Sequence, residues 1–430
     1  MAAQNLGAAS QQTAWMLQVV NKDVMLSENL DRTADNLFSQ APAEDMGLQQ
    51  YRHPIQTEVG GLVGFYQPDG GTYFQGQANQ VDQFIVAPQP ILCVISATEL
   101  ARRIAQGGRD ITVDNWISKM ISKVKDKTAH TRNAYLQGYN NGTLATVGST
   151  YSSGTVVPLV TPSFGGRLLD RLAQYQITDA SSNVIGTVNV IDVNKNSVGG
   201  TDTVTIDVAP GGLAANYLFI PIGLATGNPI SVNGLQYIIS TSTSLEYCGV
   251  SRANSYVQSP GFNANSAFLT LGTVEAFMTR MIQALGTERF AERKGNVWYT
   301  HPAQRMSASI LGFAKTLFMA ADGKTPGTYD IATNRNRKWE IAGITVEEDS
   351  MAATDKLYWI DKGVMKRVRY PGSQKFIPGM IEGIFWPRQS GGLWVSESDA
   401  MYQDSVNYYS SLPWASGVIY GLGVQPALSN

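Results

Sequence analysis

Cysteine and histidine are nearly missing from this chain: its 430 residues include two of the first and three of the second. Cys93 and Cys248 stand far apart, with no CxxC spacing and no histidine beside them, which argues against a disulfide framework and a zinc site. His53, His130 and His301 have no HxxxH or HExxH neighbourhood, so neither metal nor cofactor is expected. Charge is scarce as well. Charged residues make up 15% of the chain, against ~25% in ordinary soluble domains, and 32 basic side chains nearly cancel 34 acidic ones. That balance excludes a global field of the kind that marks nucleic-acid or acidic-ligand binders, and low charge density suits a surface covered by something else. No apolar run approaches the ~18 residues of a membrane span. The opening "MAAQNLGAASQQTAW" lacks the basic start and apolar core of a signal peptide, so a reducing cytoplasm is the expected setting. Gly-x-Ser-x-Gly elbows, Walker A loops and post-strand GxGxxG sequences are all absent, and the 42 glycines read as turns.

What is present is core-forming and patterned in blocks. With 43% apolar residues the chain can bury a sizeable core, and its length suggests about three compact units at ~150 residues each. Residues 1 to 50 carry short helical patterns around Trp15, Met16, Val19 and Val20 without a core of their own. From Thr57 to Ile95 the text is hairpin-like, with aromatic and β-branched runs flanking Pro68-Asp69-Gly70-Gly71 and prolines ending the second limb. Ser96 and Glu99 have capping-box spacing before a short helix closed by Gly107-Gly108. A helix of about 25 residues follows, its apolar positions Val113, Trp116, Ile117, Met120, Ile121 and Val124 recurring at i, i+3, i+4, i+7, i+8 and i+11. Residues 175 to 245 alternate and break at turns, predicting antiparallel strands. "LTLGTVEAFMTRMIQALG" returns to helical spacing with Gly286 as its stop, "NVWYT" reads as a buried strand, and "PAQRMSASILGFAKTLFMA" as another amphipathic helix. From Trp339 on the chain is β-rich, which makes the class α+β.

Few residues invite chemistry. His301 stands between "NVWYT" and a helix start; Thr300 or His301 suits the N-cap, and Pro302 the first turn, where a missing N–H does no harm. A catalytic His301 would need a partner in hydrogen-bond reach that the sequence does not offer. Glu347-Glu348-Asp349 could bind a hard cation, but consecutive residues on a strand point to opposite faces, so a solvated or intersubunit charge patch is expected. On the long helix, Lys119, Lys123 and Lys127 recur every four residues, with Lys125 and Arg132 adding charge and Asp126 the single acid. This is either a solvated basic face or one that meets a polyanion. A hydrolase built on His301 or the Glu347 run lacks any triad or metal spacing.

The order of blocks carries more information than any residue. A coreless arm, a long hairpin, a long amphipathic helix, a β-rich insertion, the unit "FLTLGTVEAFMTRMIQALG…NVWYTHPAQRM", the run "WEIAGITVEEDSMAATDKLYWIDKGVMKRV" and a closing "YYSSLPWASGVIYGL" resemble the major capsid proteins of tailed bacteriophages, together with the motifs "LEYCGVSRANSY" and Pro-Trp-Ala-Ser-Gly. A tail tube or adhesin is the alternative, and the long helix after a long hairpin counts against it.

The resemblance implies a Hong Kong 97-like fold. Residues 1–54 would be an N-terminal arm and 55–95 an extended loop, with Phe65, Tyr66, Tyr73 and Phe74 near its tip as intersubunit anchors. Residues 96–154, holding the spine helix, and the strands of 356–410 would form a peripheral domain. An axial domain would span 155–355, with 175–245 as a β-rich insertion, and 411–430 would return to it. The implied function is a non-enzymatic head protein that self-assembles as pentamers and hexamers into an icosahedral shell. That shell would enclose double-stranded DNA without reading its sequence, with Lys119, Lys123, Lys127 and Arg132 on the lumen side. A separate scaffolding protein, a portal and a decoration protein are the implied partners. The implied location is the virion capsid, after synthesis in the host cytoplasm.

Overall fold

The computed structural model describes residues 33–41, 50–58, 80–98, 113–160, 164–179, 181–195, 201–224, 231–292, 296–304, 340–342, 344–370, 372–378, 385–390 and 393–424. The described chain forms two compact units, one from 89–132 and 369–406, the other from 33–88, 133–368 and 407–424. The division falls inside helix α1 (Val113–Gln137) and inside the 18-residue strand β21 (Leu393–Ser410).

In the smaller unit, β21 is the template on which the other strands pair. Strand β4 (Gln89–Thr98) lies antiparallel to it over Glu397–Val406, and β19 (Lys375–Phe376) and β20 (Phe385–Ser390) also pair with it. This ladder overrides two local signals. Pro90 sits within β4 opposite Ser405, so the prolines hand one strand to the next and do not end the pairing. Ser96 is not a helix cap: it lies in β4, and its hydroxyl donates to Asp399 Oδ1 at 2.6 Å. The helix expected after it lies outside the described residues.

Among the described residues of the larger unit, two cores are built on six-stranded sheets. The first is a six-stranded mixed sheet in the order β13 (Gly261–Asn263), β22 (Gly417–Tyr420), β17 (Leu357–Asp361), β14 (Asn296–Thr300), β16 (Ile344–Glu348) and β15 (Glu340–Ile341). Trp298 of β14 and Trp359 of β17 face each other in register, ring centroids 4.9 Å apart. On them packs helix α3 (Leu271–Leu285) through Val274, Phe277, Met281 and Leu285, the stripe its 3.6-residue spacing prescribes. Thr270 caps α3 by accepting from the Thr273 N–H, and Gly286 ends it at φ 77°, a value open to glycine and costly for other residues. Gly417 lets the helix lie this close, since a Cβ there would stand 2.8 Å from both Phe277 and Met281. β17 was expected in one domain with the other strands of 356–410; it lies instead in the larger unit, paired antiparallel with β14, and all five of its residues are buried.

The second core is a barrel. Strands β5 (Ala145–Thr146), β10 (Leu218–Pro221), β7 (Gln174–Thr178), β8 (Val184–Asn194), β9 (Thr203–Ile206) and β6 (Val156–Pro158) pair antiparallel in that order. A Val147–Leu159 bridge joins the first to the last, with Gly148 N–H donating to Pro158 O at 2.7 Å and Val160 N–H to Thr146 O at 2.9 Å. Closure removes both sheet edges. Alternate residues fill the interior: Tyr175 and Ile177, Val188 and Val190, Val204 and Ile206.

Candidate functional site: interaction surfaces and buried polar centres

The hairpin is β2 (Tyr51–Glu58) against β3 (Gln80–Val86). Its root is held by aromatic packing: Tyr51 lies 5.4 Å from Tyr409, and Phe84 meets Tyr247 edge-on at 5.0 Å. Ile85 N–H donates to Cys248 O at 2.9 Å, and Asn407 Nδ2 to Ala87 O at 2.7 Å. Burial fades along β3, from buried Phe84 and Val86 back to exposed Gln80, Val81, Asp82 and Gln83, so the two strands leave the body of the unit. Phe65, Tyr66, Tyr73 and Phe74 lie outside the described residues.

Residues 33–41 are fastened by a polar chain. Asn133 Oδ1 accepts from the Ala34 and Asp35 N–H groups at 3.0 and 3.3 Å. The Asp35 carboxylate takes both contacts from Arg367 Nη1 at 3.2 Å and the Tyr408 hydroxyl at 2.7 Å. Strand β1 (Ser39–Gln40) then runs parallel to β18 (Met365–Arg369).

Asp349 is not part of a solvated patch. It is fully buried and accepts from Tyr299 OH at 2.7 Å, Asn133 Nδ2 at 2.9 Å, Gln137 Nε2 at 3.1 Å and the Met351 N–H at 2.8 Å. Glu347 instead pairs with Lys362 at 2.5 Å. Glu347 and Asp349 thus have different fates, because the chain turns out of β16 just before Asp349. Sequence offered one signal for the Asp349 centre, the polar Asn133 and Gln137 one helical turn apart near the end of α1.

His301 is buried, and its Nδ1 accepts from the Ala303 N–H at 3.0 Å, the geometry of an N-cap, with Pro302 in the first helical turn. Burial, and then the nearby Arg167 guanidinium, pull its pKa down to about 4, against a backbone hydrogen bond at Ser350. The imidazole is therefore neutral near pH 7. Most of the helix expected after it lies outside the described residues.

Arg132 departs from the lysine row. Its guanidinium is buried and binds Asp404 Oδ2 at 2.5 Å, while Arg369 Nε reaches Asp404 Oδ1 at 3.1 Å and Gln374 Nε2 lies 3.4 Å from Oδ2. The reason is angular: five residues beyond Lys127 is about 140° away around a helix, so Arg132 faces inward and its charge is neutralised inside the unit. Lys125 is exposed and Lys127 half-buried, its charge felt by the Cys93 thiol. That thiol is pushed up by burial, against the Thr128 hydrogen bond and Lys127. Lys119 and Lys123 lie in α1, and their side chains are outside the described set.

Chemistry is otherwise sparse. Among the described residues no group of three His, Cys, Asp or Glu side chains could hold a metal ion, and no helix is long and apolar enough to cross a membrane. Cys93 and Cys248 are both free. Two adjoining cavities, of about 350 and 250 Å³, share Tyr139 and Gln236 in their walls.

No family model matches the chain, and no curated protein matches it. Solved structures do. The chain is similar to a chain of the cyanophage A-1(L) capsid asymmetric unit, with a TM-score of 0.53 and 12% identity over 94% of this chain and 96% of that one. Looser likenesses are to the capsid of the native GTA particle (TM-score 0.46, 9% identity, 93% and 94% covered) and to Mycobacterium phage Adephagia (0.43, 8%, 95% and 97%). At such identities what is shared is the fold: this chain has, over nearly its whole length, the fold of a phage capsid subunit.

Proposed function

We propose that this chain is the major capsid protein of a tailed bacteriophage, a structural and not a catalytic molecule, with a Hong Kong 97-like subunit. The fold shared with the cyanophage capsid chain over 94% of the sequence carries this reading. In it, the smaller unit is the peripheral domain and α1 its spine helix. The larger unit is the axial domain with a barrel inserted, β2 and β3 are the root of the extended loop, and residues 1–54 supply the arm, of which the described segment 33–41 is fastened to the larger unit. Copies assemble as pentamers and hexamers into an icosahedral shell for double-stranded DNA, with a separate scaffolding protein, a portal and a decoration protein as partners. Low charge density supports this reading, because a subunit that meets several neighbours hides surface that a monomer would have to solvate.

The test is expression of the chain, alone or with its scaffold, followed by negative-stain imaging. Closed shells are expected; tubes or fibres would favour a tail component. A truncation lacking residues 1–32 keeps the anchored segment from Thr33 on, so the subunit should still fold yet yield soluble or aberrant material. Normal shells from it would remove the arm from the reading.

A further inference from the structure

Arg252 is fully buried, yet it forms no ion pair among the described residues. Its guanidinium lies over two tyrosine rings, with Cζ 4.8 Å from the Tyr247 centroid and 5.4 Å from that of Tyr237. Nη2 donates to the Tyr237 carbonyl in helix α2 (Leu235–Ile238), Nη1 donates to Val257 O at 3.0 Å, and Nε has no protein partner. A buried cation answered by ring faces and carbonyls, with no carboxylate, gains little net stability against its desolvation. What it holds in place is more telling. Strands β11 (Glu246–Tyr247) and β12 (Val250–Ser251) are joined through Cys248 and Gly249 at φ 49° and 88°, left-handed values that strain a cysteine and not a glycine. Such backbone persists only where its surroundings fix it. Here the Tyr237 hydroxyl accepts from the Cys248 N–H at 2.8 Å, Tyr247 stacks on Tyr237 with centroids 5.5 Å apart, and Arg252 covers both rings. The turn presents Cys248 O to the Ile85 N–H of the hairpin, and Tyr247 meets Phe84 edge-on. Tyr256, four residues beyond Arg252, donates to Asp82. Three contacts of β3 thus come from the one loop that Arg252 fastens.

We propose that Arg252 is the positioning residue that sets the direction of the projecting hairpin: it locks the loop 245–258 onto α2, and that loop fixes β3. It acts through Tyr247 and Cys248, which touch the hairpin. A planar fork can reach two carbonyls while lying flat on a ring, whereas a lysine ammonium is a point charge that cannot do both. In the assembly reading above, the hairpin must meet a neighbouring copy at a reproducible angle, and Arg252 is what makes that angle reproducible. This link to assembly rests on that reading; the hold on the hairpin does not.

The test compares the parent with Arg252→Lys and Arg252→Met, first by amide hydrogen exchange in the unassembled subunit and then by negative-stain imaging of the shells. In both variants the amides of Cys248 and of β3 should exchange roughly tenfold faster or more, the loss expected for one charge-assisted hydrogen bond. Those of β14 and β17 in the central sheet should keep the parent's rate. Shells of the variants should be open or mixed in size where the parent's are uniform. Hairpin amides that exchange at the parent's rate overturn the proposal. So does a variant that fails to fold, or one whose β14 and β17 amides accelerate as much, because either marks Arg252 as part of the general core. A loosened hairpin with uniform shells overturns the link to assembly. A parent that forms no shells overturns the assembly reading instead, and the exchange rates then decide the role of Arg252 alone.

Discussion

His301 ties a single protonation to the stability of the larger unit. Its pKa falls from 6.5 in the unfolded chain to about 4 in the fold, so between these values the unfolded state binds the extra proton. The stabilisation is therefore complete above pH 6.5, fades as pH falls toward 4, and amounts to about 3 kcal/mol at most. A protonated ring would also lose the Nδ1 lone pair that accepts from Ala303. His301→Asn keeps a capping acceptor without the titration. Denaturant melts of this variant should show a shallower loss between pH 6.5 and 4 than those of the parent; parallel curves would mean His301 is not the titrating group. Residue identity foretold the cap, because histidine followed by proline at a strand-to-helix joint leaves few other uses. It did not foretell Asp349 or Arg132, whose partners come from distant parts of the chain: Asp349 meets Asn133, 216 residues away, and Arg132 meets Asp404, 272 residues away.

Among elements, the strongest periodicities were the most faithful. The long helix, the helix ending at Gly286, the buried "NVWYT" strand and the alternating strands after residue 174 all form where their patterns put them, and the helix ending at Gly286 buries the stripe its own spacing defines. What spacing cannot express is closure. The Val147–Leu159 bridge that turns six strands into a barrel depends on the other strands being in place. A barrel with its own interior should fold alone. A fragment spanning residues 143–224 is expected to melt cooperatively and give dispersed amide resonances. It should be less stable than in the full chain, because Ala134 and Met351 also cover this core. Collapsed spectra would mean the barrel depends on its surroundings. The lysines of α1 make a second prediction at this scale. Lys119, Lys123 and Lys127 share a face by their four-residue spacing, and like charges so placed repel by a few tenths of a kcal/mol per pair unless a polyanion screens them. If that face meets packaged phosphates, replacing all three with glutamine should spare assembly and make DNA retention weaker and more sensitive to salt. Retention equal to the parent's across ionic strengths would leave the lysines as solvated charge.

At the scale of the whole molecule, the distribution of lysine decides how a shell of this subunit could be locked. Some members of the resembling family join neighbours by lysine–asparagine isopeptide bonds, which require an amine nucleophile on the extended loop. No lysine occurs between Lys22 and Lys119, so the hairpin and both its flanks lack one. The two cysteines offer no substitute, for Cys248 is buried with its thiol pushed up to about 12, first by desolvation, and thiolate is the form that reacts. If copies of the chain form a shell, its cohesion at the hairpin is then expected to be noncovalent, and Phe65 and Tyr66 near the hairpin tip are proposed as its aromatic anchors. Assembled particles boiled in detergent should therefore run as a monomer near 46.6 kDa on a denaturing gel, with or without thiol reductant. A ladder that survives boiling without reductant and collapses with it would place a disulfide between subunits. A ladder that survives both treatments would require a covalent bond made by residues outside the hairpin.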